Sequence, residues 1–267
     1  MRQPFGQNFL SDKRIALRIL AAAGITPTDT VIEIGPGKGI LTDLLAPAAA
    51  RLVAVEIDRD LAGTLNRRFV HAPQVAILNA DFLQLDNTAL GDCSDPVYVS
   101  NLPYNVSTAI IEKILTAGRW KSAVFMVQKE VADRITAAHG TSAYGAYSVF
   151  CQYFADIELL FKVPPSCFLP PPKVDSAVIR FTNKHAPEPD KHLFPIVRYC
   201  FQHKRKMIAN SLERSTGIAK EEILRCLEIA GIPPTSRAQQ LPLECFLSLT
   251  KILEICTITS DGHQTKK

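Results

Sequence analysis

The 267-residue sequence lacks an apolar run long enough to cross a bilayer. Its longest segment without Asp, Glu, Lys or Arg, residues 135–155, includes Thr, His, Gly, Ser and Gln and is too polar to span a membrane. The start of the chain has neither an apolar signal segment nor an Arg- and Ser-rich presequence. From these absences we expect a soluble, cytoplasmic protein with no membrane partner.

The sequence also lacks a cysteine pattern of the kind that binds metal or forms a disulfide framework. Its seven cysteines are an odd number, are scattered along the chain and include no C-x-x-C pair. We therefore predict no metal site and free thiols, which fit a reducing compartment. The content of 47% hydrophobic and 21% charged residues excludes collagen-like, disordered and coiled-coil classes.

No part of the chain carries a strong acidic excess. Residues 1–182 contain 17 basic and 17 acidic side chains, whereas residues 183–267 contain 13 and 9, so the last third carries the whole formal charge of +4. This third includes the consecutive Lys204, Arg205 and Lys206, and a second basic patch lies near Lys13 and Arg14. Such patches favour a polyanionic partner. On charge alone, a solvated helix face is an equally good interpretation.

Hydrophobic periodicity predicts an α/β domain followed by a helical domain. Short β-branched runs alternate with amphipathic segments, as is typical of a doubly wound parallel sheet; the runs are residues 31–35, 52–57, 75–78, 97–100 and 123–127. Two further strands are predicted at 155–163 and 174–181, joined by a proline-rich loop. Beyond Pro187 and Pro189 the pattern is helical, at residues 193–212, 220–230 and 242–255. We predict a domain boundary between residues 182 and 183.

A glycine-rich turn follows the first predicted strand, with Gly35, Gly37 and Gly39 at alternate positions. Glycines there permit a tight turn and a close approach of the backbone to a ligand at the carboxyl end of the strand. The spacing is neither G-x-G-x-x-G nor that of a P-loop. It favours a nucleoside without a pyrophosphate, such as S-adenosylmethionine, over a dinucleotide. A purely structural turn is the alternative.

Acidic residues end the next two predicted strands. Glu56 lies 21 residues after Gly35, where a carboxylate can accept hydrogen bonds from ribose hydroxyl groups. Asp81 is placed to accept from an exocyclic amine such as adenine N6, although a simple loop carboxylate is the alternative. Asp58 and Asp60 are predicted to lie in the first turn of a helix, where the dipole favours them.

The most specific signal is the tetrapeptide Asn101-Leu102-Pro103-Tyr104 at the end of the fourth predicted strand. An exocyclic amine is a poor nucleophile because its lone pair is delocalised into the ring. Acceptance of its two N–H bonds by the Asn101 side chain and the Leu102 carbonyl would direct that lone pair at a sulfonium methyl group. Pro103 would fix the backbone, and Tyr104 would stack on the base. A strand-ending turn is the alternative.

These motifs, together with residues 5–10, 33–42, 101–107 and 168–176, resemble the KsgA-type family of ribosomal small-subunit adenine dimethyltransferases. The resemblance implies a Rossmann-like class I S-adenosylmethionine-dependent methyltransferase fold with a small all-helical C-terminal domain. Such enzymes dimethylate N6 of two adjacent adenosines in the 3′-terminal hairpin of 16S rRNA and release S-adenosylhomocysteine. The implied partner is the immature 30S particle, whose maturation the enzyme would assist, and the implied state is a monomer.

The resemblance also assigns roles to individual residues. The implied cofactor-binding residues are Asn8, Leu10, Gly35, Gly37, Glu56, Asp81 and Asn101. Asn101, Leu102 and Tyr104 would surround the target amine, and Phe168 in the proline-rich loop would stack on the other face of the adenine. Without the resemblance, a core-facing Phe168 is an equally good interpretation. Lys204, Arg205 and Lys206 would bind RNA, although the family usually has arginine at the first of these positions.

Two other functions compete with this interpretation. An Erm-type enzyme, which methylates an adenine of large-subunit rRNA, would share the fold and the Asn101 motif. The proline-rich loop and the basic helical tail argue against it. A ribosome-assembly or transcription factor could keep the fold and bind RNA without catalysis. The intact set of Gly35, Glu56, Asp81 and Asn101 favours an active enzyme.

Overall fold

The chain is described by a computed structural model over residues 8–91, 93–186, 188–189, 191–203 and 206–264, with only the backbone described for Asn87 and residues 255–264. The strands are β1 (Phe9–Leu10), β2 (Thr30–Ile34), β3 (Arg51–Glu56), β4 (Val75–Asn79), β5 (Val97–Asn101), β6 (Ser122–Gln128), β7 (Ala155–Val163), β8 (Phe168–Leu169) and β9 (Ser176–Asn183). The helices are α1 (Lys13–Ala23), α2 (Thr42–Leu45), α3 (Arg59–Arg68), α4 (Ser107–Thr116), α5 (Lys129–Ile135), α6 (Ala146–Phe154), α7 (Leu193–Phe201), α8 (Ile208–Thr216), α9 (Lys220–Ile229) and α10 (Leu243–Gln264). Among these residues no helix is both long and apolar enough to cross a membrane.

Seven of the strands form one sheet in the order β4-β3-β2-β5-β6-β9-β7. The strands from β4 to β6 pair in parallel, whereas β9 is antiparallel to both β6 and β7. Strands β2, β3, β5 and β6 are buried nearly throughout, which explains their continuous apolar sequences. The predicted parallel α/β sheet is thus confirmed. The antiparallel direction of the last two strands has no signature in their apolar pattern.

Helix ends in the first part of the chain follow from local side chains. Asp12 caps α1 by accepting from the Arg14 amide at 2.8 Å, and Gly24 ends that helix in the left-handed conformation. Asp58 caps α3 by accepting from the amides of Asp60 and Leu61. The prediction that Asp58 and Asp60 start a helix is therefore correct. This cap fixes the direction in which the chain leaves the end of β3.

The chain divides into two compact units. The first consists of Met1–Asp133 and Phe154–His185, and the second of Arg134–Tyr153 and Ala186–Lys267. The boundary predicted at residue 182 lies close to the break after His185. Residues 134–153, however, group with the helical unit, although they precede the predicted boundary. The predicted roles of the two domains stay predictions: cofactor binding and catalysis for residues 1–182, and a contribution to rRNA and ribosome binding for residues 183–267.

Helices make up the regular structure of the described part of the second unit, apart from one short 3-10 turn. Its core includes an aromatic group in which the Phe201 ring lies 5.8 Å from the rings of both Tyr144 and Phe246. The predicted single helix over 193–212 is wrong, because α7 ends at Phe201 and α8 begins at Ile208. Met207 has an extended backbone, and the Ile208 amide donates to the Ser236 carbonyl instead of continuing α7.

Candidate active site

A cavity of about 490 Å³ lies at the carboxyl ends of β2, β3 and β5. The strand order reverses between β2 and β5, and open α/β sheets bind ligands at such a switch point. The cavity volume falls within the range of small-molecule sites. Its lining includes all but one of the residues predicted to bind cofactor or target amine, namely Asn8, Leu10, Gly35, Gly37, Glu56, Asp81, Asn101, Leu102, Pro103 and Tyr104.

The glycine turn forms one wall of this cavity. Gly37 has a φ of +56°, and a Cβ atom at this position would lie only 2.9 Å from two ring carbons of Phe9. Both the backbone conformation and the close ring therefore require glycine. Phe9 belongs to the short strand β1 and also lines the cavity, and the Lys38 ammonium lies 4.9 Å from the centroid of its ring. Phe9 thus covers the glycine turn, although it is not among the predicted site residues.

Glu56 joins the glycine turn to the start of α3. Its Oε2 atom accepts from the Gly37 amide and its Oε1 atom from the Asp58 amide, each at 2.9 Å. The side chain is 2% exposed, and burial raises the pKa of Glu56 while the two amides lower it. A carboxylate has about four lone-pair sites, so these amides leave acceptor capacity for a ligand hydroxyl. The geometry is compatible with the predicted ribose contact.

Asp81 lies on the loop after β4 and opens a tight turn. Its Oδ1 atom accepts from the Leu83 amide at 2.9 Å. From α4, the Lys113 ammonium donates to the carbonyl oxygens of Phe82 at 2.8 Å, Leu83 at 3.1 Å and Leu85. This lysine therefore holds the loop that carries Asp81. No pattern in the sequence distinguishes it from an ordinary helix lysine.

The Asn101 side chain lies at the end of β5, beside the cavity. Its Nδ2 atom donates to the Asn8 carbonyl at 3.4 Å, whereas its Oδ1 atom is buried without a hydrogen-bond partner. A buried amide oxygen without a partner is costly, so a donor from a ligand would stabilise it. The Leu102 amide donates to the Met126 carbonyl at 3.0 Å, and Leu102 is 1% exposed. These contacts fix the backbone on both sides of the orphan oxygen.

Pro103 and Tyr104 continue this wall. The Pro103 ring lies 3.6 Å from the position that a Cβ atom of Gly35 would take, so the glycine turn and the tetrapeptide are in contact. Tyr104 is half-buried and lines the cavity, and its hydroxyl oxygen lies 2.7 Å from the Ser176 Oγ atom. The structure thus brings the predicted target-amine residues together with the predicted cofactor residues.

Phe168 is the exception among the predicted site residues. Strand β8 pairs with β1, with Phe168 opposite Leu10, and the Phe168 side chain is 3% exposed. It packs in the hydrophobic core with Leu10, Cys167 and Val178 and does not line the cavity. The predicted stacking position is therefore not the one that this structure shows. The core-facing alternative describes the observed packing.

Glu33 is a cavity residue to which the sequence analysis assigned no role. It lies in β2, is 1% exposed, and has an Oε2 atom without a hydrogen-bond partner. Burial, reinforced by the nearby charge of Glu56, raises the pKa of Glu33 to about 8. The available signal was an acid within the otherwise apolar run of Val31, Ile32 and Ile34.

The predicted RNA-binding cluster is described only in part. Lys204 and Arg205 lie outside the described residues. Lys206 is exposed and its amide donates to the His203 carbonyl at 2.8 Å. Over the described ranges there is no group of three His, Cys, Asp or Glu residues placed to hold a metal ion.

Comparison with known proteins matches this chain to one family model and to named relatives. The family model described as ribosomal RNA adenine dimethylase matches residues 1–254. A protein of Syntrophotalea carbinolica named ribosomal RNA small subunit methyltransferase A is 42% identical over 260 residues, covering 95% of this chain and 97% of that protein. A protein of the same name from Levilactobacillus brevis is 40% identical, covering 93% of this chain and 88% of the relative.

Solved structures give the same grouping. A dimethyladenosine transferase from Plasmodium falciparum superposes with a TM-score of 0.82 at 26% identity, covering 93% of this chain and 98% of that one. The 23S rRNA methyltransferase ErmE superposes with a TM-score of 0.73 at 29% identity, covering 92% of this chain and all of that one. Both similarities extend over nearly the whole of this chain.

Proposed function

Because this chain belongs to the ribosomal RNA adenine dimethylase family, we propose that it dimethylates N6 of two adjacent adenosines in the 3′-terminal hairpin of small-subunit rRNA. The chain has the predicted class I methyltransferase fold and is an rRNA adenine dimethyltransferase. The names of relatives near 40% identity support the small subunit as the source of the substrate. We propose S-adenosylmethionine as the methyl donor and the immature 30S particle as the partner.

The orphan oxygen of Asn101 is the observation that carries this function. The acceptor is buried on the wall of the cavity, and its own amide nitrogen is already directed to the Asn8 carbonyl. An adenine N6 amine supplies the missing donor. Acceptance of its N–H bonds by Asn101 Oδ1 and the Leu102 carbonyl favours sp3 geometry at nitrogen, so the lone pair becomes available. This interaction strengthens as positive charge develops on nitrogen, and it therefore contributes most in the transition state.

The residues around the cavity fit the proposed donor. When bound, S-adenosylmethionine supplies an electrophilic methyl group on its sulfonium. Glu56 offers its remaining acceptor capacity to the ribose hydroxyls, and its bonds to Gly37 and Asp58 hold it in place. Asp81 accepts from the adenine amine of the donor, on a loop that Lys113 anchors. The turn at Gly37 permits close approach of the backbone.

Proton removal requires no dedicated base in this site. Methyl transfer leaves a positive charge on the nitrogen, and this cation is acidic and releases its proton to water. Asn101 and Leu102 accept its N–H bonds until then. Tyr104 on the cavity wall would stack on the extruded base, a contact typically worth about 1–3 kcal/mol. Lys204, Arg205 and Lys206 of the second unit would bind the rRNA backbone, consistent with the basic excess of residues 183–267.

Large-subunit rRNA is the competing substrate, and the similarity to ErmE favours it as the second candidate. The names of the curated relatives and their higher identity favour small-subunit rRNA. A third possibility, RNA binding without catalysis, would leave the Asn101 arrangement unused.

A methylation assay with three RNA substrates tests the proposal. The full chain is incubated with tritiated S-adenosylmethionine and immature 30S particles, 50S particles or naked 16S rRNA, and modified adenosines are mapped by mass spectrometry. We expect two methyl groups on each of two adjacent adenosines, and only with the 30S particles. The variant Asn101→Ala should lose transfer, whereas Asn66→Ala, an exposed asparagine of α3, should retain it. Incorporation into 50S particles instead would establish the Erm-type activity, and RNA binding without incorporation would establish a non-catalytic role.

A further inference from the structure

Ser176, which follows the proline-rich loop as the first residue of β9, makes a contact that none of the predicted roles uses. Its Oγ atom lies 2.7 Å from the hydroxyl oxygen of Tyr104, 72 residues away in the chain. Ser176 is fully buried, with an exposure of 0%, whereas Tyr104 is half-buried on the cavity wall. The loop therefore reaches the site through this serine, while Phe168 at its other end faces the core.

The backbone of Ser176 is held firmly. It is the first residue of β9, which lies between two antiparallel neighbours, and it is paired with Gln128 of β6 and Val163 of β7. With the backbone held, the short side chain has only three staggered positions for its hydroxyl, and the one observed reaches Tyr104. Ser176 is thus a rigid anchor for whatever it binds.

Tyr104 is the residue that receives this anchor. Its backbone carbonyl accepts from the Ser107 Oγ atom at 3.2 Å, at the start of α4. The ring therefore has one fixed point at its backbone and a second at its hydroxyl. The two contacts fix the direction of the ring axis, because the phenolic oxygen lies on that axis. A phenol hydroxyl also prefers to lie in the plane of its ring, so its bond to Ser176 limits rotation of the ring about the axis. Because the ring is already ordered, stacking of a base on it does not incur the entropic cost of ordering this side chain.

We propose that Ser176 is a positioning residue, which holds the Tyr104 ring in the orientation that receives the target adenine. The proposal rests on the proposed function, since it presumes that an adenine enters beside Tyr104. It assigns to the end of the proline-rich loop a role in catalysis that does not require Phe168 to leave the core. The alternative role of the contact is only to satisfy the buried Ser176 hydroxyl.

A double-mutant cycle separates these two roles. The cycle consists of Ser176→Ala, Tyr104→Phe and the double variant. Each single variant removes one of the two hydroxyl groups in contact, the double variant removes both, and all three keep an aromatic ring at position 104. We expect kcat on 30S particles to fall about threefold to tenfold in each single variant, the range of one modest hydrogen bond. The double variant should be no slower than the slower single variant, because both substitutions break the same contact. The affinity for S-adenosylmethionine should remain unchanged in all three.

Ser148→Ala is a matched control in the second unit. Ser148 is also fully buried, and its Oγ atom donates to the Arg134 carbonyl at 2.6 Å. The Ser148 hydroxyl also accepts from the Gly145 amide at 3.0 Å, so this variant loses a buried serine hydroxyl with at least as many hydrogen bonds. We expect its kcat to be unchanged, and its effect to add to that of Tyr104→Phe in the free energy of unfolding.

A fluorescence measurement gives a readout that a purely structural role would not move. RNA with 2-aminopurine at the target position should be quenched in the wild-type complex by stacking on Tyr104, and less so with Ser176→Ala. Unchanged kcat and quenching in a folded Ser176→Ala variant would overturn the proposal, as would additive losses in the double variant. Failure of the proposed function is distinguishable, because the wild-type chain would then not methylate 30S particles.

Discussion

Replacement of Glu56 by alanine tests the cofactor site most directly, because this carboxylate has two separate tasks. In the free protein it accepts from the amides of Gly37 and Asp58, each at 2.9 Å. With ligand bound it would also accept from ribose hydroxyls. The variant therefore removes two internal hydrogen bonds and the ligand contacts, and these losses are measured in different experiments.

Loss of the two internal hydrogen bonds lowers the stability of the protein. Glu56 is 2% exposed, so alanine leaves the Gly37 amide without an acceptor inside the protein. An unsatisfied buried donor costs about 1–3 kcal/mol, and the half-exposed Asp58 amide costs less because water reaches it. We expect the free energy of unfolding to fall by about 2–4 kcal/mol in urea titrations. Glu112→Ala, an exposed glutamate of α4, should change it by less than about 0.5 kcal/mol.

Loss of the hydrogen bonds to the ribose hydroxyls lowers the affinity for S-adenosylmethionine. Charge-assisted hydrogen bonds contribute about 1.5–3 kcal/mol each, and part of this is recovered by water in the variant. We expect a loss of about 2 kcal/mol, roughly 30-fold in the Kd for S-adenosylmethionine by calorimetry. Because burial raises the pKa of Glu56, wild-type affinity should also fall as the pH is lowered, and Glu56→Gln should lack this dependence. Unchanged affinity in a folded Glu56→Ala variant would remove Glu56 from the site.

Three further predictions concern the buried acid, the target amide and the basic cluster. Burial raises the pKa of Glu33 to about 8, well above the usual range of a glutamate, so the folded state holds the proton more tightly than the unfolded state does. The stability therefore falls as the pH rises from about 5 to 8. The free energy of unfolding should fall by roughly 3–5 kcal/mol over this range relative to Glu33→Gln, and parallel curves for the two proteins would refute the assignment. Asn101→Ala should lower kcat far more than it lowers RNA affinity, whereas equal losses in turnover and binding would mean that Asn101 only positions the substrate. Changing Lys204, Arg205 and Lys206 together to Gln should make the plot of log binding constant for RNA against log salt concentration less steep by roughly two to three units. The affinity for S-adenosylmethionine should be unchanged. An unaltered slope would contradict the phosphate contacts.

The sequence predicts the elements whose burial is reflected directly in their local hydrophobic pattern. Strands such as β3 and β5 are buried on both faces, so their sequences are continuous apolar runs. Helix ends were less predictable. No glycine or proline lies between α7 and α8, and the break at Met207 depends on a bond from Ile208 to Ser236 in a different segment. Such a tertiary contact leaves no trace in local periodicity.

The same division applies to the site. Gly35, Glu56, Asp81 and Asn101 were predictable together because the carboxyl ends of parallel strands meet at one edge of the sheet. Lys113 and Ser176 reach the site from α4 and β9 through contacts with the loop and the ring, and their neighbours in sequence do not indicate this. Glu33 carried a signal, since an acid inside an apolar strand must lose solvation on folding.

Phe168 gives the sharpest conflict between resemblance and packing, and two substitutions can resolve it. The ring is 3% exposed in the core, so Phe168→Ala would open a cavity there and cost about 3–5 kcal/mol of stability whatever its role in catalysis. Phe168→Leu is more informative, because leucine fills much of the same volume but offers no aromatic face to a base.

If Phe168 serves packing alone, Phe168→Leu should lower the free energy of unfolding modestly and leave kcat/KM on 30S particles near the wild-type value. If the ring moves to stack on the adenine, kcat/KM should fall by about 1–3 kcal/mol of transition-state stabilisation, roughly 5- to 150-fold. Phe181→Leu is the matched control, because Phe181 is fully buried in β9 beside Phe125 and does not line the cavity. The packing observed here predicts the same small activity change for both leucine variants. A loss confined to Phe168→Leu would show that the loop rearranges when RNA binds.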